Sequence, residues 1–107
     1  MKLADFKVAD SFSSRLLGIM FRRKLEKPLL FVFDSEAGLA NSIHSLFVFV
    51  EFDAVFLDGK KRVVDIRRGI RPFTPMIVPK AAAKYLVEAP AGWAKRNRVK
   101  LGMTISF

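Results

Sequence analysis

Phe52-Asp53-Ala54-Val55-Phe56-Leu57 runs into Asp58-Gly59-Lys60 and then into Arg62–Arg71, and this stretch decides the fold. Apolar side chains fall on both parities of residues 52–57, the pattern of a short strand covered on both faces. Asp58-Gly59 suits a hairpin turn of type I′, whose central residues need positive φ, so Gly59 is expected to take it. The returning strand over 62–71 then puts Val64 and Ile66 on one face and Asp65 and Arg67 on the other. Asp53 interrupts the apolar run. A carboxylate there must be paired or hydrogen-bonded, and the expected partner is Arg15.

Outward from this hairpin, turn signals recur about every ten residues, from Gly18, Pro28 and Gly38 to Pro90, Gly92 and Gly102. Short strands are expected at Leu3–Val8, Leu29–Phe33, Ile43–Val50, Tyr85–Ala89 and Leu101–Phe107. Short helices are expected at Phe12–Ile19, capped by Asp10 or Ser11, and between Pro90 and Asn97. Three prolines keep residues 72–79 out of any central strand. The fold class that follows is mainly β: a compact β-sandwich or barrel of about seven short strands with two short helices, in a single domain over residues 1–107.

Composition removes several functions. The 107 residues include no Cys and one His, so a thiol nucleophile, a disulfide scaffold and a Cys- or multi-His metal site are excluded within one chain. No metal, cofactor or catalytic set is expected. No apolar run reaches the roughly 18 residues that would span a bilayer. The acidic, interrupted start predicts no signal peptide, hence a cytoplasmic protein without a membrane partner. Many Lys and Arg with no Gln fit a thermophilic source.

The net charge of +9 is unevenly laid out. Residues 28–59 carry five acids and no Lys or Arg, whereas residues 60–71 carry Lys60, Lys61, Arg62, Arg67, Arg68 and Arg71 against Asp65 alone. Lys61, Arg67, Arg68 and Arg71 are the candidate contact for an anionic ligand or nucleic acid. The competing reading is a solvated surface that complements the acidic segment 28–59 in surface ion pairs, or a general basic background. A second candidate is a polar pocket of Arg15, His44, Asp53 and Glu88. His44 is the natural general acid or base, and Glu88, in an apolar strand, poses the same burial problem as Asp53. Against this stand a satisfied strand-end histidine and a structural Asp53–Arg15 pair. Trp93 reads as core. The apolar run at 46–50, with Phe47 and Phe49, is either buried on both faces or covered by a second copy of the chain.

Three segments together resemble a known family. Arg15-Leu16-Leu17-Gly18-Ile19-Met20-Phe21-Arg22 is similar to its early R-x-x-G-[LI]-M-x-R motif. Ile43-His44 with Asp53–Asp58 is similar to its central strand pair, and Tyr85-Leu86-Val87-Glu88-Ala89-Pro90-Ala91-Gly92-Trp93 to its closing motif. The family is Domain of Unknown Function 192, and the resemblance covers about residues 3–107. It implies a compact β-sandwich or barrel with short helices. It carries over no catalytic residue, because no activity is established for the family. Where many members have a Trp-Met-Lys-Asn-Thr-like stretch, this chain has His44-Ser45-Leu46-Phe47-Val48. A polar site built on that stretch would here be lost, or replaced by His44.

The function expected from these readings is a small, non-enzymatic binding or interaction module with a basic face for an anionic ligand or partner. The alternatives are a small enzyme with a pocket of Arg15, His44 and Asp53, and a homo-oligomeric structural protein joined through the Phe47–Phe49 strand.

Overall fold

The computed structural model describes residues 1–9, 27–33, 51–71 and 79–107. They form five strands: β1 (Lys7–Ala9), β2 (Leu29–Val32), β3 (Phe52–Leu57), β4 (Val63–Ile70) and β5 (Tyr85–Pro90), followed by one helical turn, α1 (Trp93–Arg96). The sheet order is β1-β2-β5-β3-β4. β1 runs parallel to β2, and the other three pairings are antiparallel. The described sheet is open, with β1 and β4 at its edges, so it is mainly β as expected but not a closed barrel. The expected helix at Phe12–Ile19 and strand at Ile43–Val50 lie outside the described residues. The expected strand over Leu101–Phe107 is reduced to isolated bridges, Arg62 with Thr104 and Lys2 with Ser106.

β3 and β5 are interior strands, and every residue of β3 is buried. One face of the sheet gathers Leu29, Phe31, Phe52, Ala54, Phe56, Ile70 and Leu86. The other gathers Leu30, Val55, Leu57, Val63, Val87 and Ala89 beneath Trp93, Ala94, Val99 and Ile105. Burial on both faces is why the sequence of β3 shows no polar alternation. Each fully buried Phe or Leu contributes about 1.5–3 kcal/mol of hydrophobic stabilisation before entropy is subtracted.

The hairpin between β3 and β4 forms, but with a different turn. Lys61 N–H donates to the Asp58 carbonyl at 3.0 Å, and Asp58 N–H to the Arg62 carbonyl at 2.9 Å. The positive φ falls on Lys61 (63°), not on Gly59. This is a three-residue loop whose last residue is left-handed, instead of a two-residue type I′ turn. The Asp58 side chain selects it. Its Oδ1 accepts the backbone N–H groups of Lys60 (2.9 Å) and Arg62 (3.0 Å), and its Oδ2 accepts Arg62 Nε at 3.1 Å. Burial opposes ionisation of Asp58, but the two backbone donors and the Arg62 guanidinium outweigh it and hold the carboxyl below its ordinary value.

β4 is also less regular than its sequence suggests. Its register against β3 shifts twice: between Phe52 and Ala54, where Arg68 and Gly69 lie opposite Asp53, and between Phe56 and Leu57, where Val64 is the extra residue. Each is a bulge, and each breaks the period of two. Val64 and Ile66 therefore do not share a face: Val64 packs on the Phe52–Phe56 side and Ile66 on the Val55–Leu57 side. Asp65 and Arg67 do lie together, opposite Phe56 and Ala54.

At Gly69 the bulge sets φ to +62°, and a Cβ there would lie 2.9 Å from Glu51 Oε1. Gly69→Ala is expected to cost about 1 kcal/mol or more. Gly59→Ala, at a position without positive φ, is expected to be neutral or stabilising by up to about 1 kcal/mol. Urea denaturation midpoints of the two variants check the contrast. Equal midpoints would contradict the bulge and turn assignments.

Candidate functional site

Asp53 is fully buried, and its partners are backbone amides. Oδ1 accepts Gly69 N–H at 2.9 Å and Oδ2 accepts Ala94 N–H at 2.9 Å. Both donors need an outside acceptor. Gly69 sits in the bulge, where the ladder is interrupted. Ala94 is in the first turn of α1, whose N-cap Gly92 (φ 89°) has no side chain to offer. A four-residue helix is far too short to form alone. Its position comes from Asp53 and from burial of Trp93 and Ala94 against Val55, Val87 and Val99. The expected partner Arg15 lies outside the described residues. The partners the structure does describe make Asp53 a staple between β4 and α1.

Glu88 is on the opposite face. Register places it between Leu29 on β2 and Ala54 on β3, with Arg67 on the far side of Ala54. The row reads Leu29, Glu88, Ala54, Arg67, so Glu88 and Arg67 stand two strand spacings apart, roughly 10 Å. Arg67 pairs instead with Asp65, Nε to Oδ2 at 3.0 Å. Glu88 is buried, and its Oε2 has no hydrogen-bond partner. Removal from water pushes its carboxyl up to about 8. It is therefore a neutral acid at pH 7, able to donate a proton or a hydrogen bond in apolar surroundings. Asp53 and Glu88 do not meet, because the sheet lies between them. His44, like Arg15, falls outside the described residues.

The candidate anion contacts have different surroundings. Lys61 Nζ donates to the Phe107 carbonyl at 3.1 Å and lies 4.2 Å from the centroid of its ring. Arg67 is held by Asp65. Arg71 is exposed just beyond β4. Arg68, exposed and displaced by the bulge, donates from Nη2 to the Val99 carbonyl at 3.3 Å. Beside it opens a groove of about 360 Å³ along the β4 edge, lined by the aliphatic Val64, Ile66, Val99 and Leu101 and by Asp65, Arg68, Lys80 and Lys100. Next to the groove, α1 and the turn after it expose Lys95, Arg96, Arg98 and Lys100. No acid follows Glu88 in the sequence.

The chain matches the model of the family described as Uncharacterized ACR, COG1430, over residues 2–107. The chain belongs to this family, DUF192. A UPF0127 protein of Thermococcus sibiricus is 41% identical over 101 residues, covering 94% of this chain and 64% of that protein. A UPF0127 protein of Pyrococcus horikoshii is 35% identical over 103 residues, covering 96% and 87% respectively. The chain therefore spans less than two thirds of the first relative. Both relatives are thermophilic archaeal proteins without an assigned function. The fold is similar to that of a protein of unknown function from Novosphingobium aromaticivorans, with a TM-score of 0.78 and 19% identity over 91% of this chain and 70% of the other.

In this DUF192 domain, sequence reasoning had picked out Asp53 and Glu88 as buried carboxylates. Lys95, Arg96 and Arg98 were not among the candidate contacts. The signal that marks them as a surface is the absence of any Asp or Glu after residue 88. Nothing in the sequence announces the groove, because its walls come from segments about 30 residues apart.

Asp53→Ala is expected to destabilise the domain by about 2–4 kcal/mol, since it orphans two donors. Amide hydrogen exchange should accelerate at Gly69 and Ala94; unchanged protection at both would remove the staple. For Glu88 the folded carboxyl holds its proton up to about pH 8, while the unfolded one releases it near 4.3. The stability this contributes is complete below the unfolded value and is lost as pH rises through about 8. Relative to wild type, Glu88→Gln should gain a few kcal/mol between pH 5 and pH 9, read from urea midpoints. A pH-independent difference would show Glu88 ionised and partnered.

Proposed function

We propose that this DUF192 domain is a small binding module presenting a basic face to an anionic ligand or partner, with nucleic acid among the candidates, and that it works as a single domain in the cytoplasm of a thermophile. The observation that carries the reading is the exposed run Lys95, Arg96, Arg98 and Lys100, four cations in six residues with no acid among them. Their backbone is fixed by buried Trp93, Ala94 and Val99, so the cations are displayed from a defined frame. Arg68 joins them through its bond to the Val99 carbonyl. The anion contact thus centres on Arg68 and on α1 with its following turn. Asp53 has both oxygens engaged by backbone amides, which supports a structural role for it over a catalytic one. Among the described residues no helix is long and apolar enough to cross a membrane.

The test is retention on heparin and binding to single- and double-stranded oligonucleotides over a salt series. Each neutralised phosphate contributes about 0.9 to the slope of log K on duplex and about 0.7 on a single strand. Lys95→Ala combined with Arg98→Asn should weaken binding and lower the slope by about one to two units on duplex. Asn is chosen because position 98 has φ 54°, a conformation Asn tolerates. Retention no greater than that of an unrelated protein of equal net charge would overturn the reading.

A further inference from the structure

We infer that the groove beside β4 is a binding site for a small amphipathic anion: a compact carboxylate or phosphate head on an aliphatic body. The inference rests on the anion-binding reading and gives that face a ligand class. Its first support is charge. Arg68, Lys80 and Lys100 flank the groove, and the one acid among its described lining residues, Asp65, is already engaged. Asp65 Oδ2 accepts both Arg67 Nε and the Lys80 backbone N–H, each at 3.0 Å. Among the described residues the groove therefore offers an incoming head three cations and no opposing carboxylate in need of a partner. Arg68 is also positioned: its Nη2 is tied to the Val99 carbonyl, and the remaining edge of the guanidinium keeps the planar fork that fits carboxylate or phosphate oxygens.

The second support is the apolar part of the lining, contributed from both sides of the β4 edge. Val64, Ile66, Val99 and Leu101 are all aliphatic, and none of the described lining residues is aromatic. The described lining gives a nucleobase nothing to stack on, whereas an alkyl chain gains from every methylene it buries. The volume of about 360 Å³ suits a small molecule. The third support is depth. Val99 is buried and Val64 and Ile66 are half-buried, so of the four only Leu101 projects, at 67% exposure. A recessed apolar lining favours a soluble amphiphile entering the groove over insertion of this surface into a bilayer.

The experiment is a methyl and amide NMR titration at constant ionic strength with octanoate and with octyl phosphate. Acetate, inorganic phosphate, octanol and phosphatidylglycerol vesicles are run in parallel. Both octyl anions are expected to shift the methyls of Val64, Ile66, Val99 and Leu101 saturably, at least tenfold tighter than the heads alone or octanol. Arg68→Gln and Leu101→Ser should each weaken them at least fivefold. Leu101 is exposed enough that its replacement leaves the fold intact, which covers the case in which Arg68→Gln disturbs the Val99 turn. Lys60→Ala, in the β3–β4 turn and outside both the groove and the α1 run, should leave octanoate affinity unchanged. Octanol binding as tightly as octanoate, acetate or phosphate binding as tightly as the octyl anions, or vesicles binding where the soluble anions do not, would each overturn the inference. Heparin retention is measured on the same samples. If it persists while the octyl anions fail, this inference alone falls; if it matches the equal-charge control, the parent reading falls.

Discussion

One carboxylate ties the irregular part of the sheet to the helix. Asp53 projects from an interior strand towards the face covered by α1, and its two oxygens take the amide of a bulge residue and the amide of a helix turn. A buried carboxylate without partners would cost several kcal/mol, and two buried amides without acceptors would cost as much again. Combined, the three groups satisfy one another. The bulge at Arg68-Gly69 depends on this arrangement, because the ladder bond it breaks is replaced by Asp53. The helix depends on it too, because Gly92 brings no capping side chain and one turn of helix has no stability of its own.

The display of positive charge follows from the staple. By adding a residue to β4, the bulge separates Arg68 from Arg67 and brings it to the Val99 carbonyl. By anchoring α1, Asp53 places Lys95 and Arg96, and through the tight turn after them Arg98 and Lys100, on a rigid support. That turn closes with Val99 N–H donating at 2.9 Å to the carbonyl of Ala94, the same residue whose amide Asp53 holds. Structural acid and exposed bases are parts of one construction. The buried negative group positions the backbone from which the positive groups project.

The opposite face is built differently. There Glu88 sits among apolar side chains with Oε2 unpartnered, and it takes up a proton rather than a counter-charge. Arg67 stands in the same row of the sheet but is engaged by Asp65. The domain thus holds two buried carboxyls on opposite faces of its sheet. One is surrounded by donors that suit a carboxylate. The other has the apolar Leu29 and Ala54 as its cross-strand neighbours, and burial raises its pKa.

The amino-acid sequence by itself determined that the chain is mainly β, that Phe52–Leu57 is a strand covered on both faces, that a hairpin follows it, and that Asp53 and Glu88 are buried acids needing an explanation. Those features are local: they rest on hydrophobic pattern and on the cost of burying a charge, and both are written in consecutive residues. The tertiary structure decided the rest. It put Asp53 and Glu88 on opposite faces, since facing depends on parity along strands whose pairing no single segment contains. It moved the positive φ from Gly59 to Lys61, since the Asp58 carboxylate, accepting Lys60 and Arg62, stabilises a longer loop. It separated Val64 from Ile66, since one extra residue in an edge strand inverts the alternation that a period of two assumes. The groove between β4 and Val99–Leu101 exists only because segments distant in sequence are brought side by side, and the force that brings them, burial of Trp93, Ala94 and Val99 over the sheet, acts through the whole core.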